Sequence, residues 1–340
     1  MTAPISAKTS RTTKTMRAAV YTAYGLPRDV LRVTEIERPI PGDDDLLVRV
    51  HAASVNALDW RLITGTPFIA RISDGLRRPS RHIPGADIAG KVEAVGSRVT
   101  DFSVGDDIFA EIPGGGFAEY VTLPSSKAAP KPANLGFEEA ATLGVAALTA
   151  LQGLRDWGDL QPGQTVIING ASGGVGTFAL QIAKALGAAE ITAVCSTDKI
   201  EIARELGADR VIDYTKEDFI EVAGTHDLLF DNAGMLPHAQ CRKVIAADGT
   251  HVVVTGPMHR WFGPVRRIVW SALRAIPGKR SYVGGKTAQQ STDDLLVLKE
   301  MVETGAVKPV MDRRWDLDQA VEALHHQGEG HARGKSVVIP

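Results

Sequence analysis

The segment 165–187 holds the residues of this sequence best suited to bind a charged group. It reads TVIINGASGGVGTFALQIAKALG, in which a short β-branched run meets a glycine-rich turn and an apolar-periodic helix follows. Gly173 and Gly176 occupy two positions of a G-x-G-x-x-G pattern, whereas Ala171 occupies the first. Without side chains the backbone can approach a pyrophosphate closely, and the N–H groups that open the helix face its charge. We predict a dinucleotide phosphate site; a tight turn that holds no ligand is the alternative.

The end of the next predicted strand indicates which dinucleotide would bind. NAD-specific sites usually carry Asp or Glu there, hydrogen-bonded to the ribose 2′-hydroxyl. This strand, 190–196, ends without an acid, and Asp198 comes late enough to cap the following helix instead. Ser196, Thr197 and Lys199 suit a 2′-phosphate, because a cation with nearby donors compensates its charge. The pattern predicts NADPH rather than NADH.

The elements that must position this turn fall into two kinds. Beyond the turn, apolar runs and helical patterns alternate, which is typical of a parallel, doubly wound sheet. From Arg17 to about Pro132, short β-prone runs and turn clusters favour a mostly antiparallel, barrel-like domain. At 340 residues the chain is long enough for both, so the predicted fold class is α/β. Three of the predicted elements are a strand at 118–122, a helix at 138–154 and a strand at 250–255.

Composition and charge argue against several classes of protein. Hydrophobic residues make up 44% of the chain and the net charge is −2, which gives no argument for nucleic acid as a partner. No apolar run approaches the ~18 residues that span a bilayer. Cys195 and Cys241 lack Cys or His at metal-ligand spacing, which predicts no disulfide framework and suits the reducing cytoplasm. Residues 1–15, basic and without acids, are expected to be a disordered tail or to precede a true start at Met16.

Five motifs, in this order along the chain, resemble the medium-chain dehydrogenase/reductase superfamily. They are MRAAVY, SVNALDWR, IPGADIAGKVEAVG, VGDDIF and GGGFAEY. Within it the chain is similar to the zinc-free NADPH:quinone oxidoreductase-like branch, from Met16 to the C-terminal residues. The resemblance implies a GroES-like, mostly-β catalytic domain at 16–135 and 305–340. It implies a Rossmann NADPH-binding domain, with a doubly wound parallel sheet, at 136–304.

The resemblance also indicates that this chain holds no metal. Zinc-dependent members place a Cys at or beside the position of Asn56, and a G-H-E motif where this chain reads Gly85-Ala86-Asp87. The lobe of four cysteines that binds structural zinc in those members is missing as well. Zinc sites are built from Cys, His and carboxylate ligands, three or four of them from the protein. These positions cannot supply such a set.

Without zinc, another group must polarise a substrate carbonyl. The resemblance places Asn56 near the nicotinamide and Asp59 at a neighbouring acidic position, so both are predicted catalytic residues. An Asn amide can hydrogen-bond a carbonyl or the cofactor without titrating. The alternative is that Asn56 caps the short helix that follows, since Asn is a favoured N-cap residue. Arg61 stands where many quinone reductases carry a Tyr, so a tyrosine acid is not carried over.

The resemblance implies further cofactor contacts. Thr149, in the segment GVAALTA, matches a threonine that meets the nicotinamide carboxamide; a core-facing threonine is the alternative. Tyr214 matches a position used for the 2′-phosphate. The contacts implied at Asn232 and at Thr255-Gly256 could equally be plain turns. The full predicted set is Thr149, Ser172, Gly173, Gly174, Val175, Ser196, Thr197, Lys199, Tyr214, Asn232, Thr255, Gly256, Gly334 and Lys335.

The segment 257–280 is basic and amphipathic. It carries six Arg and Lys residues and no acid, and its apolar residues keep helical spacing. We expect a helix packed over the cleft or against a partner subunit. Binding to an anionic membrane surface is the alternative.

These features predict a zinc-independent, NADPH-dependent oxidoreductase that reduces quinones or activated alkenes (enones) by hydride transfer. Alternatives within the superfamily are a 2-enoyl thioester reductase, whose substrate phosphate would meet the arginines of 66–81, and a carbonyl reductase or alcohol dehydrogenase. A non-enzyme alternative is an NADPH-binding sensor or interaction protein. The resemblance also implies a homodimer.

Overall fold

The computed structural model describes most of the chain. The described residues are 14–68, 71–254, 281–284, 286–330 and 332–340. The predicted contacts Thr255 and Gly256 and the basic segment 257–280 therefore lie outside the described residues, as does most of the predicted tail.

The described strands form a two-stranded, a seven-stranded and a six-stranded sheet. In chain order they are β1 (Thr15–Tyr21), β2 (Leu31–Glu37), β3 (Asp45–Ser54), β4 (Asp87–Val95), β5 (Asp107–Glu111), β6 (Tyr120–Pro124), β7 (Ala128–Pro130), β8 (Thr165–Asn169), β9 (Glu190–Cys195), β10 (Arg210–Asp213), β11 (His226–Asp231), β12 (Ile245–Val253), β13 (Ser281–Gly284), β14 (Met311–Asp316) and β15 (Lys335–Ile339).

Helices, most of them short, connect these strands. The α-helices among the described residues are Pro27–Val30, Ala57–Thr64, Arg71–Asp74, Phe137–Ala140, Val145–Gln152, Gly174–Ala185, Ile200–Glu205, Phe219–Val222, His238–Cys241, Thr292–Glu303 and Ala320–Glu329. In the part of the chain that the structure describes, no helix has the length and apolarity needed to cross a membrane.

The seven-stranded sheet combines an early part of the chain with its C-terminal part. Its order is β14-β15-β3-β4-β5-β7, and β6 also pairs with β3. Its pairs are antiparallel except for β14 and β15, which run parallel. Because Val337 of β15 lies opposite Ser54 of β3, the residues that open β15 reach the end of the sheet that precedes Asn56. The predicted mostly-β unit is confirmed.

The six-stranded sheet is parallel throughout. Its order is β10-β9-β8-β11-β12-β13, so the strand order reverses between β8 and β11. Val166 and Ile168 of β8 pack in one core with Phe178 of the helix Gly174–Ala185, whereas Ile167 packs on the other face with Phe219. Both faces of the sheet are covered, which explains the continuous apolar run in β8. The predicted doubly wound α/β fold is confirmed.

One hydrophobic core joins the two large sheets. Leu148 and Leu151, on the helix Val145–Gln152, belong to the same buried cluster as Ala52, Ala89 and Phe109 of the mostly-β sheet. The helix Phe137–Ala140 and the 3₁₀ turn Ala141–Leu143, which precede this helix, pack directly on β3 and β4. The segment 137–152 therefore fixes the nucleotide half of the chain against the mostly-β half.

The predicted helix 138–154 is interrupted in the structure. Its two α-helical parts, Phe137–Ala140 and Val145–Gln152, are separated by a 3₁₀ turn and by Gly144, whose φ of −69° and ψ of −114° are not helical. Asp87 Oδ1 accepts the N–H of Val145 at 2.8 Å, and a Cβ on Gly144 would lie 2.0 Å from that oxygen. A contact from the other half of the chain thus overrides local helix propensity.

Two predicted strand boundaries also differ. The predicted strand 118–122 is β6, which begins at Tyr120, because Ala118 makes an isolated bridge to Ala18 instead of extending the strand. The predicted strand 250–255 is β12, which begins at Ile245. Its early start pairs it with His226, the first residue of β11, beyond an irregularity in the register.

Gly176 is the position where the turn cannot accept a side chain. A Cβ there would lie 2.2 Å from the carbonyl oxygen of Gly170. We predict that Gly176→Ala lowers the free energy of unfolding by about 1–3 kcal/mol, as overpacking of a close contact does, which urea unfolding measures. Gly136→Ala is the control, since Gly136 has a φ of −71° and its Cβ would meet nothing closer than 3.8 Å. Equal unfolding free energies for Gly176→Ala and the wild type would contradict the close approach.

Candidate active site

A cavity of about 890 Å³ lies at the carboxyl ends of β8 and β9, where the strand order reverses. Doubly wound sheets bind their ligands at this place. The volume is within the ~300–1,000 Å³ that small-molecule and cofactor sites occupy. The predicted contacts that line it are Ser172, Gly173, Ser196, Lys199, Tyr214 and Asn232.

The glycine-rich turn leaves its backbone open to this cavity. The helix Gly174–Ala185 begins after Gly173, where an added Cβ would meet no atom closer than 3.8 Å. The N–H groups of the first helical turn have no acceptor within the helix. Val175 packs its side chain against the core, so its backbone N–H is the group available to a ligand. An anionic phosphate fits this arrangement of free N–H groups and open space.

The segment before β15 lies against the same turn. Gly173 and Gly334 form a parallel bridge, and a Cβ on Gly174 would lie 2.8 Å from Cδ of Lys335. Gly334 has a φ of +100°, and a Cβ there would lie 2.3 Å from the carbonyl oxygen of Val310, so a side chain is excluded. The structure thus brings together two predicted segments that are distant in the sequence.

Lys335 belongs to a buried polar network, which we call the lysine network (Lys335, Asn56, Asp87 and Asp59). Lys335 is 4% exposed, and its Nζ donates to Val55 O at 2.9 Å and to Asn56 Oδ1 at 2.5 Å. Asn56 Nδ2 donates to Asp87 Oδ2 at 2.8 Å. Because Asp87 also accepts a backbone N–H of the nucleotide half, the network links the C-terminal segment, the mostly-β sheet and the helix that starts at residue 145.

Asp59 fixes the backbone around Asn56. Its Oδ2 accepts the N–H of Asn56 and its Oδ1 accepts the N–H of Gly85, each at 2.8 Å, and the residue is 1% exposed. Asn56 occupies the N-cap position of the helix Ala57–Thr64, as the alternative interpretation has it, but its amide is turned into the lysine network. The two predicted catalytic residues are adjacent, and both side chains are engaged by the protein.

Burial changes the proton affinities of the lysine network. It raises the pKa of Asp59 to about 7, although the N–H groups of Gly85 and Asn56 lower that value. Burial also raises the pKa of Asp87 and lowers the pKa of Lys335, while the attraction between these two charges opposes both shifts. Titratable groups with such shifts, held together by hydrogen bonds, are common in sites that hold and move protons.

Thr197 does not line the cavity, unlike Ser196, Lys199 and Tyr214. Its Oγ1 donates to Asp213 Oδ2 at 2.5 Å, so the hydroxyl is used to fix the end of β10. Thr197 begins the 3₁₀ turn Thr197–Lys199 that follows β9, and its hydroxyl points to β10 instead of the cavity.

The prediction that Asp198 caps the next helix is wrong. The helix Ile200–Glu205 has Lys199 at its N-cap position and no side-chain cap. Asp198 Oδ1 instead accepts a hydrogen bond from Ser196 Oγ at 2.6 Å, and Oδ2 pairs with Arg333 Nη2 at 2.6 Å. An ion pair with a distant segment has replaced a local cap.

Asn169 is a cavity residue that the sequence did not single out. Its Nδ2 donates to Asp231 Oδ1 at 2.8 Å, and the same oxygen accepts the N–H of Gly234 at 2.7 Å. Asn232 donates its N–H to Asn169 O at 3.0 Å. One carboxylate therefore holds the ends of β8 and β11 together at the strand-order reversal. The sequence feature that could have identified Asn169 is a polar residue at the end of an apolar strand.

Thr149 lies on the helix Val145–Gln152 and is 8% exposed. Its Oγ1 donates to Val145 O at 2.6 Å, which is the bond that the core-facing alternative implies. The oxygen lone pairs remain able to accept a hydrogen bond, so a carboxamide N–H is a suitable partner.

Comparisons with known proteins place the chain in a family. Residues 42–133 match the family model described as alcohol dehydrogenase GroES-like domain, and residues 206–338 match the one described as zinc-binding dehydrogenase. The chain is 34% identical to the 2-methylene-furan-3-one reductase of Solanum lycopersicum, over 96% of this chain and 79% of that protein. The chain belongs to the medium-chain dehydrogenase/reductase superfamily, in its quinone oxidoreductase-like branch.

Two further relatives lie in the same branch of the superfamily. The chain is 34% identical to the chloroplastic NADPH-dependent alkenal/one oxidoreductase of Arabidopsis thaliana, over 96% of this chain and 80% of that protein. The solved structure of the quinone oxidoreductase from Coxiella burnetii matches with a TM-score of 0.82 and 28% identity, covering 96% of this chain and 100% of that one. The resemblance drawn from the motifs is thereby confirmed.

In this member of the superfamily a buried ammonium group stands beside positions that hold zinc ligands in zinc-dependent members. Asn56 stands at or beside the position of the zinc-binding Cys, and Asp87 stands at the last position of the G-H-E motif. Here Asn56 donates to Asp87 and accepts a hydrogen bond from Lys335. An ammonium group and a carboxyl group are thus held together at this place through Asn56. That the member works without metal stays a prediction.

A group of potential metal ligands among the described residues lies elsewhere. Asp231, Cys241 and His251 are buried, and their ligand atoms lie within 4.8 Å of one another, a proximity that the sequence spacing did not indicate. His251 Nε2 lies 3.4 Å from Asp231 Oδ2, and its Nδ1 lies 2.9 Å from His238 Nδ1. These contacts support the carboxylate that joins β8 to β11.

Glu111 is a buried acid next to the lysine network that the sequence did not single out. It lies opposite Asp87 in the register of β4 and β5, and Gln290 of the nucleotide half donates to its carbonyl oxygen. Its Oε2 is buried and has no hydrogen-bond partner among the described residues. Burial, and next the charge of Asp87, raise the pKa of Glu111 to about 8.

Glu111 should make stability depend on pH. Its folded-state pKa of about 8 lies above the ordinary 4.5, so folding favours the protonated form. The stabilisation is complete below the ordinary pKa and is lost as pH rises through about 8. We predict that Glu111→Gln leaves the free energy of unfolding unchanged near pH 5. Near pH 9 its free energy of unfolding should exceed that of the wild type by about 1–3 kcal/mol, measured by urea unfolding. Exposed Glu205→Gln is the control; a pH-independent difference for Glu111→Gln would contradict the buried proton.

Removal of the buried cation should be costly. We predict that Lys335→Met lowers the free energy of unfolding by about 3–5 kcal/mol, because it leaves buried carboxyl groups without their partner. Adding Asp87→Asn should restore part of the loss, since the introduced amide can donate to Asn56 Oδ1, which Lys335 no longer occupies. Lys308→Met, at an exposed position, is the control. Simple addition of the two single-variant losses would argue against the network.

Proposed function

We propose that this chain is a zinc-independent oxidoreductase that uses NADPH to reduce quinones or activated alkenes. The printed names of its relatives support this proposal: an NADPH-dependent alkenal/one oxidoreductase, a 2-methylene-furan-3-one reductase and a quinone oxidoreductase. The observation that carries it is the contact between the phosphate-binding turn and the lysine network, made by Gly173 against Gly334 and by Gly174 against Lys335. A dinucleotide on the turn would end beside a buried proton donor.

We assign the parts of the cofactor to residues as follows. The turn Ser172–Val175 holds the pyrophosphate, through free N–H groups at a helix start. Ser196, Lys199 and Tyr214 hold the 2′-phosphate, and Asn232 lies along the same cavity. Thr149 accepts a hydrogen bond from the nicotinamide carboxamide. When bound, NADPH supplies a hydride to the electron-poor carbon of the substrate.

Lys335 is the group that we assign to the substrate oxygen. Its ammonium has three N–H donors, of which two have acceptors among the described residues, at Val55 and Asn56. Because burial lowers its pKa, the ammonium is a stronger acid than an exposed lysine. Its third N–H can donate to the oxygen of a quinone or enone and give up the proton as the carbon is reduced.

Asn56 and Asp59 then act by positioning. Asn56 holds Nζ of Lys335 on one side and the Asp87 carboxylate on the other. Asp59 fixes the backbone of Asn56 through a buried hydrogen bond. Loss of the hydrogen bonds of either residue would move the ammonium relative to the substrate. Small displacements of a catalytic group slow reactions strongly.

We further propose a cytoplasmic homodimer. Among the described residues β13 is an edge strand of the parallel sheet, and an edge strand can pair with that of a second copy. The chain has two cysteines, Cys195 and Cys241, and no cysteine-rich framework, which suits a reducing compartment. The net charge of −2 supports no nucleic-acid partner. Attachment of the segment 257–280 to a membrane surface is the less favoured alternative.

The proposed activity is tested by NADPH oxidation with four acceptors in turn: a quinone, an enone, an enoyl-CoA and an aldehyde. We expect turnover with the quinone or the enone, and a higher kcat/KM with NADPH than with NADH. Turnover with the enoyl-CoA or the aldehyde alone would favour the alternative reductases. Tight NADPH binding without any oxidation would contradict the proposal and favour a sensor.

The assignment of the pyrophosphate is tested by placing a carboxylate in the turn. We predict that Gly173→Asp raises the dissociation constant of NADPH at least about a hundredfold, because like charges then meet in a helix-start anion site. The fold should persist, since Gly173 has a φ of −81° and room for a Cβ. Gly136→Asp adds the same charge at a position with the same clearance, outside the cavity. Equal losses in the two variants would contradict the assignment.

A further inference from the structure

A carboxylate stands inside the proposed 2′-phosphate site. Asp198 accepts a hydrogen bond from Ser196 Oγ and pairs with Arg333 Nη2, each at 2.6 Å. Lys199, the next residue, donates from Nζ to Ala332 O at 3.4 Å. A carboxylate within the site would repel a bound phosphate. The site therefore needs more positive charge than one lysine supplies.

Arg333 brings that charge from the C-terminal segment. A second cavity, of about 620 Å³, shares Ser196, Lys199 and Tyr214 with the first cavity and is lined in addition by Asp198 and Arg333. The two cavities therefore meet at the phosphate end of the cleft. The arginine and the acid both border the space that a 2′-substituent would enter.

The Arg333–Asp198 ion pair can be exchanged at low cost. The two side chains are 60% and 51% exposed, and exposed ion pairs contribute little to stability. A guanidinium matches the oxygens of a phosphate with two parallel N–H donors. The hydrogen bond from Ser196, and the charge of Arg333, lower the pKa of Asp198, so the acid is charged at neutral pH.

We propose that Asp198 and Arg333 form a specificity pair that sets the preference between the two dinucleotides; this rests on the proposed function. With NADPH, Arg333 turns from Asp198 to the 2′-phosphate, while Asp198 keeps its bond from Ser196. Without Arg333, Asp198 is left to accept the 2′-hydroxyl of NADH, which is the part that an acid takes in NAD sites. The preference for NADPH thus depends on Arg333, which neutralises the charge of Asp198 although it lies 135 residues further along the chain.

Opposite effects of the two residues on one ligand test the pair. Calorimetric titration with 2′,5′-ADP and with 5′-AMP isolates the 2′-phosphate from the chemistry. We expect Arg333→Gln to weaken 2′,5′-ADP about tenfold or more, because a charge-assisted bidentate contact is lost. The same variant should strengthen 5′-AMP, because Asp198 can then accept its 2′-hydroxyl. Asp198→Asn should strengthen 2′,5′-ADP several-fold. The kcat/KM ratio for NADPH over NADH should fall in the first variant and rise in the second.

Arg313→Gln is the matched control. Arg313 lines the second cavity and is exposed, so the same net charge is removed without loss of the pair. Equal weakening of 2′,5′-ADP binding in Arg313→Gln and Arg333→Gln would show that only the overall positive charge around the site matters. That result would overturn the proposal of a specificity pair. An unchanged preference for 2′,5′-ADP in Arg333→Gln, or weaker binding in Asp198→Asn, would overturn it as well. A wild type that does not prefer 2′,5′-ADP to 5′-AMP would overturn the NADPH assignment itself.

Discussion

The burial of one ammonium group among carboxyl groups is the interaction on which the rest of the structure depends. A buried charge costs several kcal/mol unless it is paired and hydrogen-bonded. Lys335 meets that condition through Val55, Asn56 and the nearby Asp87, which fixes how the C-terminal segment docks. The docking explains why β15 joins β3 and why a glycine precedes the lysine where the chain passes Val310. The lysine network thus links the C-terminal segment, the mostly-β sheet and the nucleotide half.

The glycine-rich turn meets two opposite requirements within a few residues. At Gly176 the helix approaches the strand so closely that a Cβ would touch the Gly170 carbonyl, whereas at Gly173 the space beside the backbone is empty. Close packing at one glycine makes the helix start rigid, and open space at the other leaves its N–H groups accessible. Asp231 adds a third constraint, because it holds Asn169 and therefore the end of β8 in place.

The fold and the glycine-rich turn could be predicted from the sequence because both depend on local residue patterns. Apolar periodicity and glycine spacing determine strand, turn and helix with no knowledge of distant contacts. The partners of the site residues could not be found in this way. Asn56 was identified, but the lysine that binds its amide lies 279 residues further on. Asp198 suited a cap by its position, yet a distant arginine decides where its carboxylate points.

Two other differences have the same origin. Gly144 breaks the predicted helix because a carboxylate from another sheet takes the N–H of the next residue. Glu111 gave no local signal, since its raised pKa results from burial beside Asp87 and not from its neighbours in the sequence. Local patterns in the sequence indicate where helices and strands form. They do not indicate side-chain directions or contacts between distant residues, and these decided both differences.

The separation of 279 residues between Asn56 and Lys335 has a consequence for biosynthesis. The N-terminal half of a chain emerges from the ribosome first and begins to fold while the remainder is being made. Until Lys335 is synthesised, Asp59 and Asp87 lack the cation that offsets their burial, so that half cannot close its core in the native way. The mostly-β sheet therefore reaches its native packing only after residue 335 has been synthesised.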